Sequence, residues 1–338
     1  MPEATHVVRI LLSVLGLIGL ITNASVFVAL LRVQLGSHVT NVLFRSQCIF
    51  DGLGCLTMLL RQIIGDRINT GLSELDEVLC YIWHQDNFFW IGPMLAAGNL
   101  TCICWDRLTA LFRPVYYRQH QRRLIGMFIC YTVLTFLLVY VPQFLRRQYK
   151  NGQCRFSLVL EHPVTHVIAN IQAFLVLIIL HVFPAVCLLT SHAFIIWKIR
   201  RLKMREKRIS QTTTTVVTTG DSQPRYRRSV SRLVWTTATL SVIYFVCHSF
   251  DSLNYALAVA GISDYKAGSP CQQAGLAPIV FCCAINPCVL VNMSKPVRKA
   301  FLSMRANPEF MITFSKAQSR DRTQMQLIKP RPDCDAIR

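Results

Sequence analysis

An aspartate and an arginine stand together at the end of a long apolar segment, as Asp106 and Arg107. Ionisable groups at the edge of a hydrocarbon layer are costly, and residues of this kind usually serve a function. The carboxylate can hold the guanidinium in one state of the protein and release it in another. The pair therefore predicts a switch, and the segments around it must position that switch.

The composition predicts that the apolar segments cross a membrane. Hydrophobic residues make up 52% of the 338 residues and charged residues only 16%, and the mean hydropathy is +0.38. Soluble domains usually carry about a quarter charged residues. The runs 10–31 and 171–197 contain no Asp, Glu, Lys or Arg, and each exceeds the roughly 20 residues that a helix needs to cross a bilayer.

Hydropathy windows predict an all-α membrane protein, a bundle of seven membrane-spanning helices. The predicted spans are 8–31, 40–63, 80–112, 124–145, 167–197, 230–260 and 273–293. A short amphipathic helix is predicted at 295–304, where an apolar stripe lies beside lysines and arginines. Residues 1–304 would form one domain, and residues 305–338 a tail that is expected to be disordered.

The basic residues predict the orientation of the bundle. The net charge is +19, and lysines and arginines concentrate in the segments after the third, fifth and seventh spans. The positive-inside rule places these segments in the cytoplasm, so the amino terminus is predicted to be extracellular and the carboxyl terminus cytoplasmic. Because membrane topology explains the positive charge, nucleic acid is not an expected partner.

Short motifs recur in order along the spans and resemble those of the rhodopsin-like (class A) G-protein-coupled receptors. The family's patterns are G-N-x-x-V, a buried aspartate, D-R-Y-x-A-I-x-x-P, F-x-x-C-W-x-P and N-P-x-x-Y. The matching segments here are Thr22-Asn23-Ala24-Ser25-Val26, Asp51, Asp106-Arg107-Leu108-Thr109-Ala110-Leu111-Phe112-Arg113-Pro114, Tyr244-Phe245-Val246-Cys247-His248-Ser249-Phe250 and Asn286-Pro287-Cys288-Val289-Leu290. The histidine in place of the family's tryptophan, with Cys247 before it, also resembles some invertebrate peptide receptors.

The resemblance implies a plasma-membrane receptor that activates a heterotrimeric G protein when an extracellular ligand binds. Receptor kinases, arrestin and membrane lipids would be further partners. The resemblance assigns the switch to Asp51, Asp106, Arg107, His192, Asn286 and Pro287, with His192 replacing a family tyrosine. Asp106 would restrain Arg107 in the inactive receptor, and the released Arg107 would meet the G protein.

The family's buried aspartate holds a sodium ion, and its counterpart here is Asp51. The matching neighbours appear as Ala96, Cys282 and Cys283, which are poor ligands for a hard cation. Polar groups at membrane depth usually find partners inside the bundle. Asp51 is therefore predicted either to be protonated or to form hydrogen bonds with Asn286 and Asn23.

Two of the fourteen cysteines, Cys80 and Cys154, differ from those inside the spans. Both lie on the predicted extracellular side, where thiols oxidise. A bond between them would tie the outer loop over the mouth of the bundle, although Cys80 lies two residues nearer the amino terminus than the family's spacing. Cys271 is also on that side and has no obvious partner.

Acidic and aromatic residues gather at the predicted outer mouth and form a candidate ligand site. They are Asp86, Phe89, Trp90, His248, Asp251 and Tyr255. Helical spacing places Asp86 and Arg107 on one face of the third span, about 31 Å apart along its axis. Carboxylates and rings together suit a cationic, aromatic-rich peptide such as a neuropeptide. Ordinary helix packing is the alternative explanation for each aromatic residue.

Other functional classes agree less well with the sequence. The stretch 274–293 has no lysine for a retinal Schiff base, which excludes an opsin. No Ser-His-Asp or metal-ligand pattern converges at one depth, so an enzyme, a metal or a cofactor is not expected. A chemosensory receptor for small molecules is an alternative within the fold. A transporter or channel is less favoured, because the spans show no repeat and few polar residues.

Overall fold

Helices dominate the computed structural model, which describes residues 2–156, 162–212, 222–263 and 269–306. Within these ranges the helices are α1 (Pro2–Arg32), α2 (His38–Ile64), α3 (Ser73–Ile82), α4 (Ile91–Phe112), α5 (Pro114–Gln119), α6 (Gln121–Tyr140), α7 (Pro163–Leu177), α8 (Phe183–Thr212), α9 (Ser222–Val259), α10 (Pro270–Met293) and α11 (Lys295–Ala306). A 3₁₀ turn, Val141–Arg146, follows α6, and a π turn, Ile178–Val182, joins α7 to α8.

Six of these helical segments are long and apolar enough to cross a membrane, judged by length and composition among the described residues. The seventh is α4, whose 22 residues correspond to about 33 Å of helix. It contacts α2, α6, α8 and α9, and thirteen of its residues are buried. The predicted fold class, a seven-helix membrane bundle, is confirmed.

The third predicted span, 80–112, is wrong as one continuous helix. The structure ends α3 at Ile82, forms turns over 83–90 and starts α4 at Ile91. Gln85 has a φ of +60°, and its amide donates a hydrogen bond to the carbonyl of Asp66. The polar run after Ile82 therefore satisfies its backbone through the loop that follows α2, and the helix does not continue through it.

A β-hairpin, absent from the all-α prediction, lies between the 3₁₀ turn and α7. Its strands are β1 (Arg147–Lys150) and β2 (Gln153–Phe156), paired antiparallel. Asn151 and Gly152 connect them with φ values of +53° and +72°. Asn-Gly with two positive φ angles is the preferred two-residue hairpin turn. Cys154 forms a disulfide with Cys80 of α3, as the sequence predicted, so the hairpin is tied to the bundle.

The amphipathic helix predicted at 295–304 corresponds to α11. Its residue Val297 is fully buried, and Phe301 and Met304 pack against the same core, while Lys295 and Arg298 are exposed. The helix ends at Ala306, so the first two residues of the predicted disordered tail are helical. The rest of that tail, 307–338, lies outside the described residues.

Close approach of α2 and α4 depends on two glycines. A Cβ atom added to Gly92 would lie 2.4 Å from the amide nitrogen of Gly54 and 2.7 Å from the carbonyl oxygen of Phe50. Both neighbours are backbone atoms, which cannot move aside without separating the helices. We therefore expect Gly92→Ala to destabilise the bundle by about 1–3 kcal/mol, the usual cost of overpacking.

The melting temperature of the purified protein in detergent would measure this effect. Gly126→Ala in α6 is the matched control, because a Cβ there meets no atom within 4 Å. The control should melt at or slightly above the wild-type temperature, since alanine favours helix over glycine. Equal melting temperatures for the two variants would contradict the close contact.

Candidate functional site

A cavity opens at the end of the bundle that carries the Cys80–Cys154 bond, which we call the disulfide end. It measures about 620 Å³, including the space at its mouth that is open to solvent. Its walls come from the 83–90 turns, α4, the 3₁₀ turn, the hairpin, α7, the π turn and α9.

Five of the six residues predicted to bind ligand line this cavity, namely Asp86, Trp90, His248, Asp251 and Tyr255. Phe89 does not. It is buried in a separate apolar cluster with Leu12 of α1, Met58 of α2 and Leu276 of α10. The cause is the break before α4, since Asp86 and Phe89 lie in the turns and do not continue one helical face. The prediction for Phe89 is therefore wrong.

Asp86 is a junction between three parts of the structure. Its Oδ2 accepts hydrogen bonds from Trp90 Nε1 at 2.9 Å and from Gln272 Nε2 of α10 at 2.6 Å. Its Oδ1 lies 3.9 Å from a guanidinium nitrogen of Arg147 in β1. Arg147 also lies over the ring of Phe156, 5.5 Å from the ring centroid. Asp86 thus links the hairpin to α10 across the cavity.

Aromatic rings from α9 form one wall of the cavity. Tyr244 and His248 stack with their centroids 4.1 Å apart. The hydroxyl of Tyr244 donates to the carbonyl of Leu180 at 2.7 Å, within the π turn, where helical carbonyls lose their usual partners. About two turns beyond His248, Tyr255 donates to Gln172 of α7 at 3.4 Å. These bonds hold the rings in place around the cavity.

Asp251 lines the same cavity but has a different environment from Asp86. Its side chain is 3% exposed. Its Oδ1 atom is buried and has no hydrogen-bond partner among the described residues, and none of the ion pairs found there includes Asp251. Buried carboxylates normally have partners, and among the buried carboxylates that the structure describes, Asp251 differs in having an oxygen without one.

At the opposite end of the bundle, the buried carboxylate of Asp106 is the centre of a polar cluster. Arg107 donates to Asp106 and to the hydroxyl of Thr40 in α2. Thr40 in turn donates to Asp106 at 3.1 Å, and the phenol of Tyr117 in α5 donates to it at 2.5 Å. Ser37, the N-cap of α2, lies 2.5 Å from the Tyr117 oxygen. The pair predicted from the sequence is therefore in contact and shared with α2 and α5.

A second polar cluster connects α2, α4 and α10 in the middle of the bundle. Asp51 accepts hydrogen bonds from Asn286 at 3.0 Å and from Gln47 at 3.1 Å, and Asn99 donates to Gln47 at 2.8 Å. The bond to Asn286 was predicted. The bond to Asn23 was not correct, because that amide donates to the carbonyls of Gly19 and Cys283, at 2.9 Å each.

Two predicted switch residues add little to this geometry. Pro287 lies inside α10, next to Asn286. His192 falls within α8, but its side chain is outside the described residues. In the described part of the chain, no group of three His, Cys, Asp or Glu side chains is placed to hold a metal ion.

Several residues at these sites were missed from the sequence, among them Arg147, Tyr117 and Thr40. The Asn151-Gly152 pair could have identified the hairpin and therefore the proximity of Arg147 to the mouth. No local signal could have identified Thr40 or Tyr117 as partners of Asp106, because they are separated from it in sequence and meet it only when α2 and α5 pack against α4.

A comparison with models of protein families assigns most of the chain to a family. A family model described as 7 transmembrane receptor (rhodopsin family) matches residues 22–292, most of the chain. The matched segment runs from the beginning of the Asn23 motif past the Asn286-Pro287 motif and contains both polar clusters and the cavity. No curated protein matches the chain.

The hydrogen bond from Tyr117 to Asp106 yields a prediction about stability and pH. Burial, followed by the charge of Asp106, raises the pKa of Tyr117 to about 12. Because the folded-state pKa lies above the ordinary value, the bond contributes fully below about pH 10 and is lost as pH rises toward 12. Tyr117→Phe should cost about 1.5–3 kcal/mol, as expected for a hydrogen bond to a charged group.

Melting temperatures of wild type and Tyr117→Phe, measured between pH 6 and pH 9, should differ by a constant amount. Tyr116→Phe is the matched control. It removes a hydroxyl one residue away, where only the ring is engaged, stacked on His120 with centroids 4.4 Å apart. If both variants lost the same stability, the bond to Asp106 would not be the cause.

Proposed function

Because this chain belongs to the rhodopsin family of seven-transmembrane receptors, we propose that it resides in the plasma membrane and carries a ligand signal to a heterotrimeric G protein. The ligand would bind from outside the cell in the cavity at the disulfide end. The G protein would bind at the opposite end, beside Asp106 and Arg107. The observation that carries this proposal is the buried Asp106 cluster, which engages Arg107 at the expected G-protein surface.

The polar cluster around Asp106 describes a restrained state of the switch. Arg107 donates to Asp106 and Thr40, while Tyr117 donates to the same carboxylate from α5. Moving α4 away from α2 and α5 would break these bonds together and free the guanidinium for the G protein. A ligand shifts such an equilibrium only if it binds the released state more tightly.

Asp51 and its partners support a connection between the two ends. Asn286 of α10 and Gln47 of α2 both donate to its carboxylate. Gln272 of α10 contacts Asp86 at the cavity. A displacement of α10 there would also move Asn286 and, through the Asp51 cluster, would change the position of α2. The same α2 begins with Ser37 and Thr40, which contact the Asp106 cluster.

Charge and oxidation chemistry support the proposed orientation of the bundle. The disulfide requires an oxidising compartment, which supports an extracellular position for that end. The exposed lysine and arginine residues of α11 support a cytoplasmic position for the other end, against anionic membrane lipids. Receptor kinases and arrestin would then have access to the carboxyl-terminal segment.

A peptide ligand, such as a neuropeptide, is favoured by the acidic and aromatic lining of the cavity. Carboxylates bind ammonium and guanidinium groups, and rings of Trp90, Tyr244 and Tyr255 suit cationic and aromatic side chains. A receptor for small molecules is a second candidate. It is supported by the apolar part of the lining, formed by Met94, Val176 and Leu180.

Asp106→Asn should raise basal signalling, because an amide cannot replace the charge that holds Arg107. Thr40→Val should raise it in the same direction, since it removes a partner of both residues. The measurement is G-protein dissociation in cells at matched surface expression. Asp76→Asn in α3, at the disulfide end, is the matched control and should leave basal signalling unchanged. Lower or unchanged basal signalling in both test variants would argue against a restraining role for Asp106.

A ligand screen tests the proposed activity itself. Cells expressing the chain would be challenged with amidated peptides, amines and lipids, with Arg107→Ala and His192→Ala beside the wild type. A response to one class, reduced in Arg107→Ala, would establish coupling and name the ligand type. No response from any G protein despite confirmed surface expression would count against coupling through this switch.

A further inference from the structure

Of the two carboxylates in the cavity, only one lacks a partner, and this difference identifies the ligand contact. We propose that Asp251 is the anionic contact for a single positively charged group of the ligand, an ammonium or a guanidinium. Asp86 has a different task, since it joins the hairpin to the bundle. The inference rests on the proposed ligand-binding role of the cavity and specifies the chemical class of the ligand group.

Asp86 is already engaged by groups of this chain. Gln272 and Trp90 donate to one of its oxygens, and the guanidinium of Arg147 lies 3.9 Å from the other. A ligand cation that bound Asp86 would have to displace Arg147, which is itself buried and lies over Phe156. Separating a buried arginine from its carboxylate is costly, so Asp86 is a poor site for a cation from outside.

Asp251 has no comparable compensation in the described part of the chain. Its Oδ1 is buried without a hydrogen-bond partner. The nearest helix, α10, presents Gly275 at this point, and a Cβ built there would lie 3.7 Å from Oδ1. Glycine offers no side chain to pair with the carboxylate, so α10 leaves Oδ1 uncompensated at this point. A buried carboxylate without a partner gains strongly from a cation that enters.

The charges that line the cavity set the charge of the group that fits. The formally charged lining residues are Asp86, Arg147 and Asp251, which sum to −1. Arg146 is also nearby, but it is not a lining residue. Its guanidinium donates to the carbonyl of Ala169 at 2.7 Å and lies 5.7 Å from the Tyr255 ring centroid. One positive charge therefore neutralises the lining, whereas a dication or an anion leaves it charged.

The rings around Asp251 favour a cation that carries apolar or aromatic surface. His248 lies three residues before Asp251 on α9 and Tyr255 four residues after it, so all three share a helix face and all three line the cavity. A cation near these rings gains from their π-faces as well as from the carboxylate. A lysine or arginine side chain, or a peptide amino terminus beside an aromatic residue, has this chemistry.

The electrostatic preference of the cavity can be measured without knowing the ligand. Ser252→Cys places a thiol on the lining, beside Asp251, in a background with the exposed Cys130 and Cys271, and Cys334 of the carboxyl-terminal segment, changed to serine. The purified full-length protein is treated with a cationic or an anionic methanethiosulfonate, the trimethylammonium-ethyl or the sulfonatoethyl reagent. Each forms a mixed disulfide with the thiolate and releases methanesulfinate. Intact-mass spectrometry gives the two rates, and their ratio cancels differences in thiol reactivity.

The cationic reagent should react faster than the anionic one at pH 8. Asp251→Asn should lower the ratio of the two rates by about tenfold or more, because a unit charge a few ångströms away acts oppositely on the two reagents. Asp251→Ser gives a second neutral variant in case the amide disturbs folding. The matched control is the double variant Asp86→Asn with Arg147→Gln, which removes a neutral pair and should leave the ratio nearly unchanged.

Two results would overturn the assignment. If Asp251→Asn left the ratio unchanged in a protein that still melts cooperatively, Asp251 would not be the anionic contact. If removal of the Asp86–Arg147 pair lowered the ratio as much, Asp86 would share the role. Neither result depends on signalling, so failure here leaves the proposed G-protein coupling to its own test.

A pair of small probes tests the ligand class directly. Benzylguanidinium carries a ring and one positive charge, and benzylurea has nearly the same shape without the charge. The cation at millimolar concentration should slow labelling of the Ser252→Cys thiol by N-ethylmaleimide, a neutral reagent, and benzylurea should not. Asp251→Asn should abolish the protection. Equal protection by both probes would show that shape alone decides entry and would overturn the proposal.

Discussion

Inside a membrane, polar groups cannot form hydrogen bonds with water, so they must find partners within the protein. This constraint determines how the helices of the bundle pack. Three buried aspartates each bring distant parts of the chain together through shared partners. Asp86 links the hairpin to α10, Asp51 links α2 to α10, and Asp106 links α4 to α2 and α5. Each cluster is satisfied only when the helices pack in this arrangement, so the polar contacts specify the packing as well as stabilising it.

Asp251 departs from that rule, and the departure has a physical meaning. The other buried aspartates that the structure describes all have partners, whereas one buried oxygen of Asp251 has none, and such an oxygen is energetically unfavourable. Asp251 lines the cavity, where a molecule from outside can relieve this cost. The cost of the unpaired group in the free protein becomes part of the affinity for a cation, and it also discriminates against neutral and anionic molecules.

Close packing of α2 against α4 couples the polar clusters to movements of these two helices. Because Gly54 and Gly92 let α2 and α4 approach to backbone contact, a shift of one helix relative to the other cannot be absorbed by soft side chains. The same two helices carry Asp51, Asn99, Thr40 and Asp106. In the proposed mechanism, a displacement at the cavity would therefore reach the polar clusters as a movement of whole helices.

The sequence by itself determined the membrane class, the seven helices, the Asp106–Arg107 pair and the Cys80–Cys154 bond, because hydropathy, motif order and cysteine placement are local properties of the chain. Five of the six predicted ligand residues line the cavity, and three of these five lie on α9, where regular helical spacing made them predictable. The tertiary structure alone decided the rest. The break before α4 moved Phe89 away from the cavity, and packing brought Arg147, Thr40 and Tyr117 to the two sites. Which carboxylate has a partner depends on atoms from distant segments, so Asp86 and Asp251 look equivalent in sequence and differ only in the folded bundle.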